Sequence, residues 1–531
     1  QQSAITEVAL AVAIVLPAII VILLFSTSSW LEPVLFLAAI GVSVIINMGT
    51  NFIFKDVSFV TNSVSPILQL AVSMDYAIFL LHSFEGYRKQ YDDVNKAMFY
   101  AIKSSMTVIA TSALTTLFGF LALVFMKFKI GPNLGITLAK GIIFSFISVT
   151  MFLPALTLSL YHWIDKLAHK SFMPQFKNIS KYLSKLFVPI AIVVVLAIVP
   201  SFLGQSHTAF IYGNASDDPD RRLGKSFLDI EEEFGRTNIL AVLVPSGDTS
   251  KETELSKELK NDPYIKSVVS YAESVGSGIP SGFLDEDITE QFYSDNYARI
   301  IMYTNLPDEG EITFAAVNNL ENVITKYYDE YYMVGQSATL RDMKEVVDVD
   351  NVRVNLIAII AIFLVVALAF KSITLPFILI LTIEVAIWIN LSVPYFTGTS
   401  INFIGYLVLN TVQLGATIDY AILLTDTFMG NRRFLPLKEA IAASLGTAFR
   451  SILVSASILS IAGFTLFFTS SNTIVQDIGL LLGRGTIISM LMVIGFLPSM
   501  LILFDKPIGK TTIGSKFFKK EDISKGASQN E

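Results

Sequence analysis

The chain has 531 residues, of which 53% are hydrophobic and only 16% charged, with a mean hydropathy of +0.60 and a net charge of −7. A soluble protein runs about 25% charged, so this apolar excess excludes a string of soluble domains, and the charge balance excludes disorder and a nucleic-acid binder. Cysteine is absent, which removes disulfides, thiolate metal sites and cysteine nucleophiles.

A membrane-crossing helix needs about 20 mostly apolar residues. In chain order such runs fall at 8–25, 33–54, 63–84, 105–126 and 134–160, a first-half bundle of five spans within residues 1–160. The run from Val8 to Phe25 has neither a basic leader nor a small-residue cleavage site and reads as a span, not a signal peptide. Residues 161–186 mix Trp163, Ile164, Leu167, Phe172 and Phe176 with lysines, which suits an interfacial amphipathic helix or a solvated basic loop. A sixth span follows at 187–204. Residues 205–350 then alternate predicted helices (226–234, 250–259, 314–327, 338–349) with predicted strands (238–244, 265–270, 297–305, 331–334), which describes a βαβ-type α+β domain. A second-half bundle at 351–505 holds spans 353–370, 373–394, 401–428, 450–468 and 475–504, and a basic tail, 506–531, completes the chain. This makes eleven spans.

Charge placement orients them. Ser206 to Asp350 carries 28 acidic and 12 basic residues, whereas the remainder carries 17 acidic and 26 basic. Lysines and arginines cluster after spans three (Arg88, Lys89, Lys96, Lys103), five (Lys166, Lys170, Lys177, Lys181, Lys185) and nine (Arg432, Arg433, Lys438, Arg450), and in the tail. With eleven spans all four clusters share one side, which the positive-inside rule makes cytoplasmic. The acidic domain and the N-terminus then lie outside a cytoplasmic membrane. Lys55, Lys127 and Lys129 fall on the outer side, against the trend.

The halves repeat. Gln69 to Leu80 (QLAVSMDYAIFL) matches Gln413 to Leu424 (QLGATIDYAILL) at an offset of 344. The same offset aligns Gly119 with Gly463, Gly135 with Gly479, Lys140 with Arg484, Gly141 with Gly485 and Pro154 with Pro498. Both copies run in the same direction, so the repeats are parallel and a pseudo-twofold axis lies along the membrane normal. Gln2-Ser3-Ala4 also matches Gln336-Ser337-Ala338, which suggests that the chain starts where a first outside domain would finish.

Asp75 and Asp419 fall at the same depth in the two halves. A carboxylate in hydrocarbon costs roughly 2.5–3.5 kcal/mol, and intramembrane acids mark ion pathways. Desolvation disfavours the charged form, so the group can load and release a proton. The site expectation is a proton relay of Asp75, Tyr76, Asp419 and Tyr420. Thr107, Thr111, Thr115 and Thr116 on the next span of the first half correspond to Ser451, Ser455, Leu459 and Ser460 in the second, and the four-residue spacing puts the hydroxyls on one stripe, as supporting relay groups or as simple helix packing. Lys140 and Arg484 either pair with the aspartates or anchor their helices by snorkelling outward. Glu384 is a further intramembrane acid, Asp426 reads as solvated, and Asp477 reads as a helix N-cap. The pairs Gly131/Gly135 and Gly479/Gly483 are read as helix-packing motifs. Four scattered histidines make no metal-ligand spacing, and there is no P-loop or other enzyme signature. No cofactor is expected beyond protons as the coupling ion.

Parallel halves, an inserted outside domain, the Asp-Tyr pairs, the motifs Leu153-Pro154-Ala155-Leu156 and Leu497-Pro498-Ser499-Met500 read as helix ends, and the closing Gly335-Gln336-Ser337-Ala338 together resemble the resistance-nodulation-division (RND) superfamily, and within it the MMPL family. The resemblance implies a polytopic α-helical pseudo-twofold bundle of twelve spans, eleven of them seen here, with an extracytoplasmic α+β porter domain. It also implies that the Asp-Tyr pairs relay protons and that the porter domains pass hydrophobic or lipidic substrates outward. The expected function is proton-motive-force-driven export of such substrates. A lipid-binding sensor or scaffold, or a sodium-coupled transporter using Ser73, Thr417 and Gln413, are the alternatives. Expected partners are membrane lipids and hydrophobic small molecules, with a second copy or an accessory envelope protein left open.

Overall fold

A computed structural model describes residues 2–54, 56–170, 172–173, 179–213, 222–276, 278–279, 283, 285–514 and 517. The chain divides into two units, residues 1–209 with 350–531, and residues 210–349.

In the first unit α1 (Gln2–Ser26), α2 (Glu32–Gly49), α3 (Phe59–Arg88), α4 (Val94–Ala122), α5 (Ile130–Ile147), α6 (Leu153–Lys166) and α7 (Ile179–Ser206) precede the inserted unit. That unit contributes α8 (Arg222–Phe234), α9 (Thr249–Lys260), α10 (Glu286–Thr289) and α11 (Glu311–Ile324). There follow α12 (Gln336–Phe370), α13 (Thr374–Thr397), α14 (Phe403–Asn431), α15 (Leu437–Thr469), α16 (Thr473–Leu503) and α17 (Asp505–Thr511). Among the described residues eleven helical segments are long and apolar enough to cross a membrane. α3 and α14 are buried almost throughout, whereas α7 is largely exposed. A helix apolar all round is stable in hydrocarbon, and the helices that carry polar groups are the ones enclosed by others.

Helix starts follow side-chain caps. Ser58, Asp93, Asn402 and Asn472 each accept a backbone N–H from the first turn of α3, α4, α14 and α16. Asn472 therefore caps α16, and Asp477, expected as that cap, lies inside the helix. α13 closes on Gly398 at φ +68°. Several expected boundaries move. The helix runs from Ile130 to Lys166 through a π-helical turn at Ser148–Phe152, and Pro154, which has no N–H to donate, stands just after that turn. Pro498 lies inside α16. Neither motif ends a helix as expected. The expected helix over 161–186 is also absent as a unit: Tyr161–Lys166 finishes α6, residues 167–170 leave the helix, and α7 starts at Ile179. Phe176 lies outside the described residues. The expected helix at 338–349 and the span at 353–370 are one helix, α12.

The duplication extends into contacts. The Ser58 N–H reaches Asn133 Oδ1 at 3.3 Å, and 344 residues later the Asn402 N–H reaches Asp477 Oδ2 at 2.7 Å. Arg88 clamps Asp165 of α6 at 2.5 and 2.9 Å, and Arg432 clamps Asp505 at 3.0 and 3.1 Å. Asp350 accepts the N–H groups of Lys127 and Phe128 after α4, while Glu7 accepts from Ser470 and Ser471 after α15. These acids lie 343 residues apart. The Gln-Ser-Ala match implies 334, so that triad does not set the register between α1 and α12.

In the second unit four strands form one antiparallel sheet in the spatial order Ile265–Val269, Tyr297–Thr304, Asn238–Pro245, Tyr332–Gly335. The two strands flanking α9 are thus parallel with a third strand between them, and so are the two flanking α11. These interleaved split β-α-β units make a ferredoxin-like layer of sheet and helices. Leu240, Val242 and Val244 alternate inward with Ala298, Ile300 and Met302, against Leu255, Leu259, Val317, Leu320 and Ile324. Gly335 adopts φ +145°, and a Cβ there would stand 2.6 Å from the Ile239 carbonyl. The Gly-Gln-Ser-Ala segment is therefore a packing device.

Glu252 is buried in this unit and accepts from the Tyr293 hydroxyl at 2.6 Å. Burial pushes its carboxyl above the usual glutamate range; the Tyr293 hydrogen bond opposes this, and Asp248 adds to it. The folded state then holds this proton more tightly than the unfolded chain. Its stability contribution is present below the ordinary glutamate value and is lost as pH rises through the raised folded value. Glu252→Gln is expected to protect the strand Asn238–Pro245 from hydrogen exchange relative to the natural chain at about pH 8, with the gain shrinking towards about pH 5. Comparing the two full chains at each pH cancels intrinsic exchange. A gap independent of pH would refute the assignment.

Candidate functional site

α3 carries Asp75-Tyr76 and α14 carries Asp419-Tyr420. All four side chains are at most 4% exposed. Each aspartate faces a helix of the opposite half, because α14 packs on α4 and α15 packs on α3. Asp419 is met by the Thr115 and Thr116 hydroxyls of α4, both at 3.4 Å. Thr116 also donates to the Gly415 carbonyl at 2.9 Å. Asp75 is acted on by the Ser455 hydroxyl of α15 and by Asp419, and its Oδ1 has no hydrogen-bond partner among the described residues. Tyr76 stands among Asp419, Asp75, Thr116 and Ser112, and Tyr420 among Asp75, Asp419 and Ser455. Each tyrosine is thus close to the acids of both halves, and neither hydroxyl has a hydrogen-bond partner among the described residues.

The site is not fully symmetric. A Cβ on Gly119 would lie 2.9 Å from Gly415 Cα, so α4 and α14 meet backbone to backbone. The repeat mate Gly463 instead contacts α16, where a Cβ would lie 2.5 Å from the Gly483 N. This tight α4–α14 seam brings two threonines onto Asp419. The packing roles expected of Gly135, Gly479 and Gly483 hold, since each faces its hairpin partner closely.

Of the expected supporting hydroxyls, Thr115, Thr116 and Ser455 reach the site. Thr111 donates to its own helix at the Thr107 carbonyl at 2.7 Å, and Thr107 is exposed. Ser451 lies one turn below Ser455 and faces His82 Nδ1 at 3.5 Å. Glu384 is buried beside Trp388 with one oxygen unpartnered. The next residues of α13, Val385, Ala386 and Trp388, pack against α7 and α16. Asp426 is exposed, as expected.

Lys140 and Arg484 do not pair with the aspartates; Lys140 reaches the end of α2 and Arg484 reaches α13. Lys140 Nζ donates to the Asn47 carbonyl at 3.1 Å and to Asn51 Oδ1 at 2.7 Å. Arg484 donates to Asn390 Oδ1 at 2.7 Å and to its carbonyl at 2.9 Å. Each cation thereby closes a buried node that sequence reasoning missed. Asn47 donates to Gln69 at 2.7 Å, and Gln69 donates to the Gly141 carbonyl and to Ser145. Asn390, Gln413, Gly485 and Ser489 repeat the pattern at 2.9, 3.1 and 3.1 Å. The signal lay in Gln69 and Gln413, which open the repeated motif six residues, less than two turns, before each aspartate.

Two parallel helical repeats and a split β-α-β domain define a polytopic membrane protein of the RND type. The MMPL family profile matches residues 1–198 and 229–516, and the chain belongs to the MMPL family. It is similar to the putative membrane protein MJ1562 of Methanocaldococcus jannaschii, 36% identical over 89 residues, 17% of this chain and 23% of that protein. It is also similar to the probable transport protein MmpL12 of Mycobacterium tuberculosis, 31% identical over 124 residues, 23% of this chain and 11% of that one. These matches span less than a quarter of either relative. The fold is shared with SecDF, a translocon-associated membrane protein from Thermus thermophilus, at TM-score 0.63 and 14% identity over 95% of this chain and 63% of that one.

Proposed function

We propose that the chain works in a secondary transporter of the cytoplasmic membrane, in which proton flow through Asp75 and Asp419 drives export of hydrophobic or lipid-like substrates. The observation that carries this reading is the interlocked seam, with each buried Asp facing a hydroxyl of the other half and both tyrosines close to both acids. A proton arriving on one acid changes what both halves hold at their seam. The described residues hold no group of acids or histidines placed to hold a metal ion. The lipidic substrate class follows from family likeness, and MmpL12 is itself named a probable transport protein.

Proton coupling is favoured over sodium because the Gln413 side-chain oxygen that a sodium site would use already accepts from Asn390 at 2.9 Å. Gln413 turns its amide into the node with Asn390 and Ser489, and Thr417 donates to the Gln413 carbonyl at 2.8 Å. Full-length protein in liposomes loaded with a fluorescent lipid is expected to move it under an imposed pH gradient and not under a sodium gradient alone. Equal transport under sodium at uniform pH would overturn proton coupling. Lipid binding without transport under either gradient would favour the sensor reading.

A further inference from the structure

Below Asp75 the two halves diverge. His82 lies seven residues on, two turns along α3 on the same face. It faces Ser451, which lies one turn below Ser455 on the antiparallel α15. Around His82 stand Glu85 of its own helix, Arg450 of α15 and the Ser26 carbonyl, to which Arg450 donates. Glu85 accepts from the Ser28 hydroxyl, and Glu32 accepts from the Ser28 N–H at 3.1 Å, so the two carboxyl groups stand side by side. Both line a cavity of about 380 Å³ at the end of α3 that carries the basic loop, together with Arg88, Lys89, Asp165 and His169.

The Arg88–Asp165 clamp is duplicated, but the ladder above it is not. The repeat mates of His82, Glu85, Ser451 and Arg450 are Asp426, Met429, Thr107 and Met106, and at the offset of 343 that relates α2 to α13 the mate of Glu32 is Leu375. An apolar substitution at three of five positions breaks any equivalent ladder in the second half.

We infer that protons leave the relay on one side only, from Asp75 through Ser455, Ser451 and His82 to the Glu32–Glu85 pair and its cavity. The inference rests on the proton-coupled reading above. Asp75 gives up its proton; the Ser451 hydroxyl accepts one and passes its own to His82 Nδ1; the imidazolium then gives one proton to the Glu85 carboxylate and returns to neutral. Steps longer than a hydrogen bond, such as that between Ser455 and Ser451, are one helical turn and take a single bridging water. Both acids deliver to this exit because Tyr76 and Tyr420 stand close to both of them.

The test is proton release by full-length protein in liposomes, read with a pH-sensitive dye under an imposed gradient. His82→Ala and Glu85→Gln are each expected to slow release by about tenfold or more, and millimolar imidazole is expected to restore flux to His82→Ala. Asp426→Asn, at the mate of His82, is expected to release at the natural rate. The path is overturned if both exit variants release at the natural rate while Asp75→Asn abolishes flux, or if Asp426→Asn slows it as much as His82→Ala does. If Asp75→Asn itself leaves flux unchanged, the coupling reading falls and the path falls with it. Loss of flux in His82→Ala without rescue, in a protein whose melting is also lowered, marks a structural role and overturns the inference.

Discussion

Asp75→Asn and Asp419→Asn each stop gradient-driven transport, by about 10²–10⁴-fold for the loss of a positioned proton-transfer group. Asparagine keeps the size and one acceptor oxygen, so Thr115 or Thr116 still finds a partner at residue 419. What it removes is the bound proton and the charge. The two variants differ in stability. Asp75 carries an oxygen without a partner, whereas both Asp419 oxygens meet threonines. An unpartnered buried polar atom carries a penalty of about 1–3 kcal/mol, and an amide can turn its NH₂ towards Ser455. Asp75→Asn therefore melts at or above the natural protein, and Asp419→Asn at or below it. Transport assays at matched expression, with thermal melting in detergent, check both parts. Retained pH-driven transport by either variant would sink the relay.

Gly485→Ala lowers melting sharply, and Gly446→Ala does not. A Cβ on Gly485 would lie 2.3 Å from Gln413 Oε1 and 2.5 Å from Asn390 Nδ2. It would drive apart the amides that join α13, α14 and α16, and loosen Arg484 from Asn390. Overpacking costs about 1–3 kcal/mol, and each buried polar group left unpaired adds about 1–3 kcal/mol. Around Gly446, also inside a helix, a Cβ meets nothing within 4 Å, so alanine there is neutral or stabilising by up to about 1 kcal/mol. Gly141→Ala repeats the Gly485 effect more mildly, because its nearest contact is 2.8 Å, from Asn47 Nδ2. Equal melting of the Gly485 and Gly446 variants would show that the node does not hold the bundle.

The repeat was legible because duplication preserves covalent order, so Gln69, Asp75 and Gly141 keep one offset from their mates. The spans were legible because hydrocarbon imposes length and apolarity on each helix separately. The supporting hydroxyls were only partly legible. Thr107, Thr111, Thr115 and Thr116 all carry a hydroxyl on α4, but the rotation of α4 about its axis decides which of them faces an acid. That rotation is set by Gly119 meeting Gly415, 296 residues apart in sequence. Asp477 misled for a related reason: its carboxylate reaches the start of α14, a partner invisible to local cap rules. Lys140 and Arg484 were assigned to aspartates or to the membrane surface because an asparagine carbonyl carries no sequence signal as a cation partner.

Composition and spacing by themselves determined that this is a polytopic membrane protein of two parallel repeats with one inserted α+β domain and one acid at matched depth in each half. Those features are properties of single segments and of their order. Only the tertiary structure decided that both tyrosines stand close to both acids, that each cation closes an amide node, and that His82, Glu85 and Glu32 line one side of the seam. Such pairings depend on helix rotation and close backbone approach, which arise from many contacts between segments distant in the chain.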